Sequence, residues 1–164
     1  MSKELFAGIL SEIRAFAVAA NNLVDLQDFI VEVISSHLPY YNWTGFYMLD
    51  PENSETLVLG SFRGAPTEHV RIPVNQGICG AAVAQNATVI VDDVNADPRY
   101  LACSLETKSE IVVPIRVNGN VVGEIDIDSH NPAAFSQQDK DFLEQCAHAV
   151  GAFIERGQLA QSAM

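Results

Sequence analysis

The chain has 164 residues, 48% hydrophobic and 18% charged, a balance that excludes a disordered chain and predicts one globular domain large enough to bury a core. Its net charge of −12, from 9 Lys+Arg against 21 Asp+Glu, argues against nucleic acid or an anionic membrane as partner, since both need basic patches, and weakly favours cationic or zwitterionic ligands. Three cysteines, an opening Met1-Ser2-Lys3-Glu4 that runs straight into an amphipathic pattern, and no long apolar run predict a cytoplasmic chain without leader or membrane span, whose thiols are buried or chemical rather than structurally paired.

Leu5, Ile9, Ile13, Phe16 and Ala20 recur at helical spacing. Asn21-Asn22 interrupts that pattern, and a second helix carries Leu26, Phe29, Ile30, Val33, Ile34 and Leu38 before Pro39 ends it. These stripes pack a core or, equally, form the seam of a homodimer. Trp43 to Asp50 reads as a strand with Trp43, Gly45 and Tyr47 on one face, and Thr56 to Phe62 as its returning partner. Trp43 is core or the aromatic wall of a ligand site; Tyr47, two residues on, shares its side. His69 to Pro73 is short and extended, and a lone His69 reads as solvated. No zinc or iron ligand spacing occurs, so no metal is expected. Gly80 to Asn86 reads as a short helix with Cys79 at its start, where the helix N-terminus would lower a thiol pKa and make Cys79 reactive. Val89 to Val91 is a strand. Asp92 to Ser109 is a long connection carrying Cys103, and connections of that length in compact domains are usually functional or disordered. In the last helix Ser136 and Asp139 have capping-box spacing. Phe142, Cys146, Ala149 and Phe153 form a stripe that makes Cys146 a small core residue, and the tail after Arg156 reads as frayed.

Between these lies a hairpin whose register can be worked out. Residues 112–117 and 121–129 flank Asn118-Gly119-Asn120, a short hairpin signal. Ile111, Val113, Ile115, Ile125 and Ile127 are odd-numbered, and Glu110, Glu124, Asp126 and Asp128 are even. Apolar residues must meet on one face, because a slip by one residue turns every side chain over. A three-residue loop with Val117 opposite Val121 then sets Ile111 against Ile127, Val113 against Ile125 and Glu110 against Asp128, with Asp126 next on that face. Three acids side by side repel unless water or a cation intervenes. The face is therefore a solvated exterior or a chamber that binds a cation or holds a carboxylic acid with a raised pKa. Helices from both chain ends can cover the opposite face, giving an α+β domain in which only the loops around Cys79 and Cys103 remain to cover the acids.

Several segments together resemble the GAF domains, and specifically the free methionine-(R)-sulfoxide reductases. They are Asn42-Trp43-Thr44-Gly45-Phe46-Tyr47, Val70-Arg71-Ile72-Pro73 with Gly77-Ile78-Cys79-Gly80, Ala102-Cys103, Ser109 to Pro114, and Asp126-Ile127-Asp128-Ser129. The resemblance covers roughly residues 40 to 155. It implies a single GAF domain over 1–164, with its core at about 20–156. The implied fold is an antiparallel sheet with the terminal helices on one face and a loop-covered ligand pocket on the other. It also implies an enzyme that reduces free methionine sulfoxide through a cysteine sulfenic acid and a disulfide, without a cofactor and with a thioredoxin-like reductant. Trp43, Tyr47, Glu110, Asp126 and Asp128 would bind substrate; Cys103 would attack the sulfoxide sulfur, Cys79 would resolve, and Glu110 or an aspartate would protonate the departing oxygen. The roles of the two cysteines could be exchanged. Many members carry a third cysteine ten positions before Cys79, where this chain has His69, and Ser104 stands where Asp is expected. The alternative implied by the fold alone is a non-catalytic GAF domain that senses a small molecule.

Overall fold

Two side-chain caps start the chain's architecture in the computed structural model, which describes residues 2–102 and 104–162. Ser2 Oγ accepts from Leu5 N (3.2 Å) and opens α1 (Lys3–Ala19); Asn22 Oδ1 accepts from Asp25 N (2.9 Å) and opens α2 (Leu23–His37). Then follow β1 (Trp43–Asp50), β2 (Asn53–Arg63), β3 (Arg71–Pro73), α3 (Gly77–Gln85), β4 (Val89–Val91), a 3-10 turn (Val94–Ala96), β5 (Ser109–Val117), β6 (Asn120–Ser129) and α4 (Gln137–Ser162). The six strands pair antiparallel in the order β3-β2-β1-β6-β5-β4, which bears out the α+β reading. Several boundaries differ from the sequence reading, and β3 is shorter than expected, starting at Arg71 and not His69. β2 starts at Asn53, α3 at Gly77, so that Cys79 lies inside its first turn, and α4 continues past Arg156 to Ser162.

The inner hairpin register is as expected: Ile111 faces Ile127, Val113 faces Ile125 and Glu110 faces Asp128. The tip is not. A register shift between Ile115 and Arg116 sets Val117 against Asn120, not Val121. The loop is therefore the two residues Asn118 and Gly119, whose φ values of 53° and 81° suit the left-handed turn that matches strand twist. The shift lies beyond the acids, so their facing is unchanged.

The odd-numbered residues of β5 and β6 face α1, α2 and α4. Ile13, Leu26, Ile30, Ile34, Phe46, Ile111, Ile115, Ile125, Ile127 and Leu143 are fully buried there, with Cys146 among them as a small core residue. Asp139 ties this layer to the start of β1. Its Oδ2 accepts from Ser136 N (2.9 Å) and Ser136 Oγ (2.7 Å), closing the expected capping box, and its Oδ1 accepts from Tyr40 and Tyr41 (2.7 Å for Tyr41). Burial and the Asp139 carboxylate push both phenol pKa values up. Among the described residues no helix is long and apolar enough to cross a membrane.

α4 lies so close to β5 that a Cβ at Gly151 would stand 2.3 Å from the Arg116 carbonyl oxygen, whereas one at Gly157 would meet nothing within 4 Å. Gly151→Ala should therefore destabilise the fold by about 1–3 kcal/mol, while Gly157→Ala in the same helix should stabilise it by up to ~1 kcal/mol. Urea denaturation of both variants checks the contrast; equal effects would mean that α4 does not approach β5 this closely.

Candidate active site

The even-numbered face of β5 and β6 carries the acids. β1 and β6 set Trp43 against Asp128, Gly45 against Asp126 and Tyr47 against Glu124, and β5 adds Glu110 beside Asp128. Trp43, Tyr47, Glu110, Asp126 and Asp128 line one small chamber, and α3 lies across it and contributes Cys79. The face is thus the floor of a chamber and not a solvated exterior. Gly45 is needed there, because a Cβ would stand 2.4 Å from Cη2 of the Trp43 ring. The Trp43 and Tyr47 ring centres are 6.2 Å apart. Their polar ends hold the loop after β2 over the face: Trp43 Nε1 donates to the Ala65 carbonyl (3.0 Å) and Tyr47 Oη to the His69 carbonyl (2.7 Å). Trp43 both lines the chamber and packs in the smaller apolar cluster on this side of the sheet.

His69 is not simply solvated, as its isolation in the sequence suggested. It is half-buried in the chamber wall, and its Nε2 is 3.1 Å from the Ala102 carbonyl oxygen. Cys103 itself, expected to be the attacking thiol, lies outside the described residues. Ser104 Oγ accepts from Glu106 N (3.1 Å).

All the acids are buried. Asp126 is hydrogen-bonded to Glu110, an arrangement in which two carboxyls hold a proton between them, and burial raises the Asp126 pKa. Cys79 Sγ donates to Asp126 Oδ2 at 3.5 Å. Asp126 Oδ1 is enclosed and has no hydrogen-bond partner among the described residues. Behind the thiol stands Glu124, completely buried, with Cys79 in hydrogen-bonding reach and no nitrogen or oxygen donor among the described residues at either carboxyl oxygen. Burial raises its pKa well above the usual carboxylate range, which favours its neutral form. Glu124 is the site residue that sequence reasoning passed over, although its even number put it on this face.

The expectation that a helix N-terminus lowers the Cys79 thiol pKa is reversed. Burial, and then the charges of Asp126, Glu124 and Glu110, push its thiol pKa well up. A helix terminus contributes roughly 0.3–2 kcal/mol towards the thiolate, which does not offset full desolvation beside three acids. No Lys or Arg lines the chamber among the described residues. One donor atom each from Cys79, Glu110 and Asp126 lie within 4.8 Å of one another, close enough to share a cation. The open space is about 30 Å³, room for a water or an ion but not for an amino acid.

A family model described as the GAF domain matches residues 4–154, so the match takes in the two N-terminal helices as well as the stretch that carries the sequence motifs. A free methionine-R-sulfoxide reductase of Saccharomyces cerevisiae is 41% identical over 130 residues, covering 79% of this chain and 72% of that protein. One from Escherichia coli is 34% identical over 145 residues, covering 88% and 81%. The crystal structure of free methionine-R-sulfoxide reductase from Neisseria meningitidis in complex with its substrate superposes with a TM-score of 0.89 at 32% identity, covering 98% of this chain and 95% of that one.

Glu124 gives the site a stability signature. Its folded pKa lies above the unfolded carboxyl value of about 4.3. Between those two values the folded state binds more protons than the unfolded one, so its stability is complete at low pH and falls as pH rises through the window. Thermal melts should show Glu124→Gln gaining on the parent by roughly 1 kcal/mol per pH unit above about pH 5. Parallel pH profiles for the two proteins would mean that Glu124 is solvated or charge-paired.

Proposed function

This chain belongs to the GAF domain family, alongside the free methionine-R-sulfoxide reductases, and we propose that it reduces free L-methionine-(R)-sulfoxide to methionine with electrons from thiols, in the cytoplasm. The observation that carries the reading is the chamber itself, where Glu110, Asp126 and Asp128 converge beside a thiol under an aromatic wall, with no lysine or arginine lining it among the described residues. Such a site complements an ammonium group at one end and a polarisable S-methyl at the other. The carboxylates hold the free α-ammonium of the amino acid, which a methionine inside a protein lacks. Trp43 packs against the methyl sulfur end, and the chamber widens beyond its present volume to admit the substrate.

Cys103 gives its thiol proton to the carboxyl pair and attacks the sulfoxide sulfur, so that the pair is restored when it protonates the oxygen. The raised pKa of Cys79 supports this assignment of roles, because a buried thiol facing carboxyls is a poor first nucleophile. The proton held between Glu110 and Asp126 passes to the sulfoxide oxygen, methionine departs, and the oxygen remains on Cys103 as a sulfenic acid. Cys79 then attacks that sulfur. Its thiol proton, taken up by Asp126 across the 3.5 Å contact, leaves with the sulfenic hydroxyl as water, and a disulfide forms. A thioredoxin-like dithiol reopens it and is itself oxidised. With His69 in the place of a third cysteine, no other thiol takes part among the described residues, since Cys146 is enclosed in the helical layer.

Methionine release with a thioredoxin system should be seen from the free (R) epimer and not from the (S) epimer. Acetylation of the substrate nitrogen should lower kcat/KM by at least about tenfold, because it leaves buried carboxylates without their cation. Cys103→Ser should abolish turnover while substrate binding persists. Binding without turnover in the reduced parent protein would instead identify a sensor.

A further inference from the structure

We propose that the reduced chamber is a site for a borderline-soft divalent cation, Zn2+ foremost, held by Cys79, Glu110 and Asp126, and that the ion blocks the reductase by occupying the place of the substrate's ammonium group. The binding stands on the geometry alone; the inhibition rests on the reductase reading.

The three donor atoms lie within 4.8 Å of one another, and all three residues are buried. Two of them are already spaced as ligands of one ion. A zinc bound to sulfur at about 2.3 Å and to oxygen at about 2.0 Å in tetrahedral geometry puts those ligands about 3.5 Å apart, and Cys79 Sγ and Asp126 Oδ2 are 3.5 Å apart. Independently of that spacing, Asp126 Oδ1 is enclosed at the chamber with no hydrogen-bond partner among the described residues, a lone acceptor of the kind a cation or its bound water satisfies. The space of about 30 Å³ has room for an ion. Three protein ligands and an open fourth position is an arrangement that zinc adopts readily. The sulfur ligand selects against Mg2+ and Ca2+, which take oxygen. Oxidation of Cys79 to a disulfide removes that ligand, so binding is confined to the reduced protein.

The full chain, reduced and freed of small thiols, is titrated with cadmium alone while the thiolate-to-metal absorption band in the ultraviolet is followed. The expected result is one ion per reduced chain and none per oxidised chain. The band should survive in Cys146→Ser and Cys103→Ser and vanish in Cys79→Ser, and Asp126→Asn should weaken binding by more than about tenfold. With the thioredoxin system, zinc should raise the apparent KM for free methionine sulfoxide and leave kcat unchanged, with reversal by a chelator. A band that persists in Cys79→Ser, or undiminished affinity in Asp126→Asn, overturns the site. Should Cys79→Ser fail to fold, the near-isosteric Asp126→Asn decides. Cadmium binding as expected in a protein that does not reduce methionine sulfoxide would uphold the site and overturn the reductase reading instead.

Discussion

The constraint on which the site depends is the burial of four carboxyl groups and a thiol on one face of a sheet with no Lys or Arg lining the chamber among the described residues. An isolated charge in such a place is costly, so the group stays neutral, shares a proton or attracts a cation. Burial pushes Glu124 towards its neutral form, and Asp126 is hydrogen-bonded to Glu110. The proposed proton transfer and the proposed hold on an ammonium group both draw on that single imbalance.

The fold sustains the imbalance by separating its two tasks across the sheet. One face is covered by α1, α2 and α4 and holds an apolar layer that stabilises the domain. The other has only α3 and the loops, so its polar residues lie under a cover held by individual hydrogen bonds, from Trp43 to Ala65 and from Tyr47 to His69. The same aromatic side chains thus form the wall and fix the loop above it. The buried acids depart from the polar-outside rule that the helical face obeys, and the apolar layer on that face offsets their cost.

Parity made much of this legible. Odd and even positions on β5 and β6 separate the core from Glu110, Asp126 and Asp128, and the family motifs added Trp43, Tyr47 and the cysteines. The hairpin tip escaped, because one shift between Ile115 and Arg116 turns a three-residue loop into a two-residue turn without disturbing any hydrophobic contact that the pattern reports. Cys79 was misjudged because a helix start is visible in sequence and burial under a neighbouring strand is not. His69 looked isolated because its neighbour, Ala102, is 33 residues away. Glu124 had the right parity but nothing to set it apart from an ordinary solvated strand acid until α3 was placed over it.

Asp139 joins parts of the chain that the sheet otherwise keeps apart. It accepts from Tyr40 and Tyr41, residues 99 and 98 positions away, at the entry to β1, whose first residue is Trp43. That carboxylate, in the first turn of α4, ties the helical layer to the two residues just before the strand that carries Trp43 and Tyr47, so the last helix and the root of the aromatic wall share one anchor.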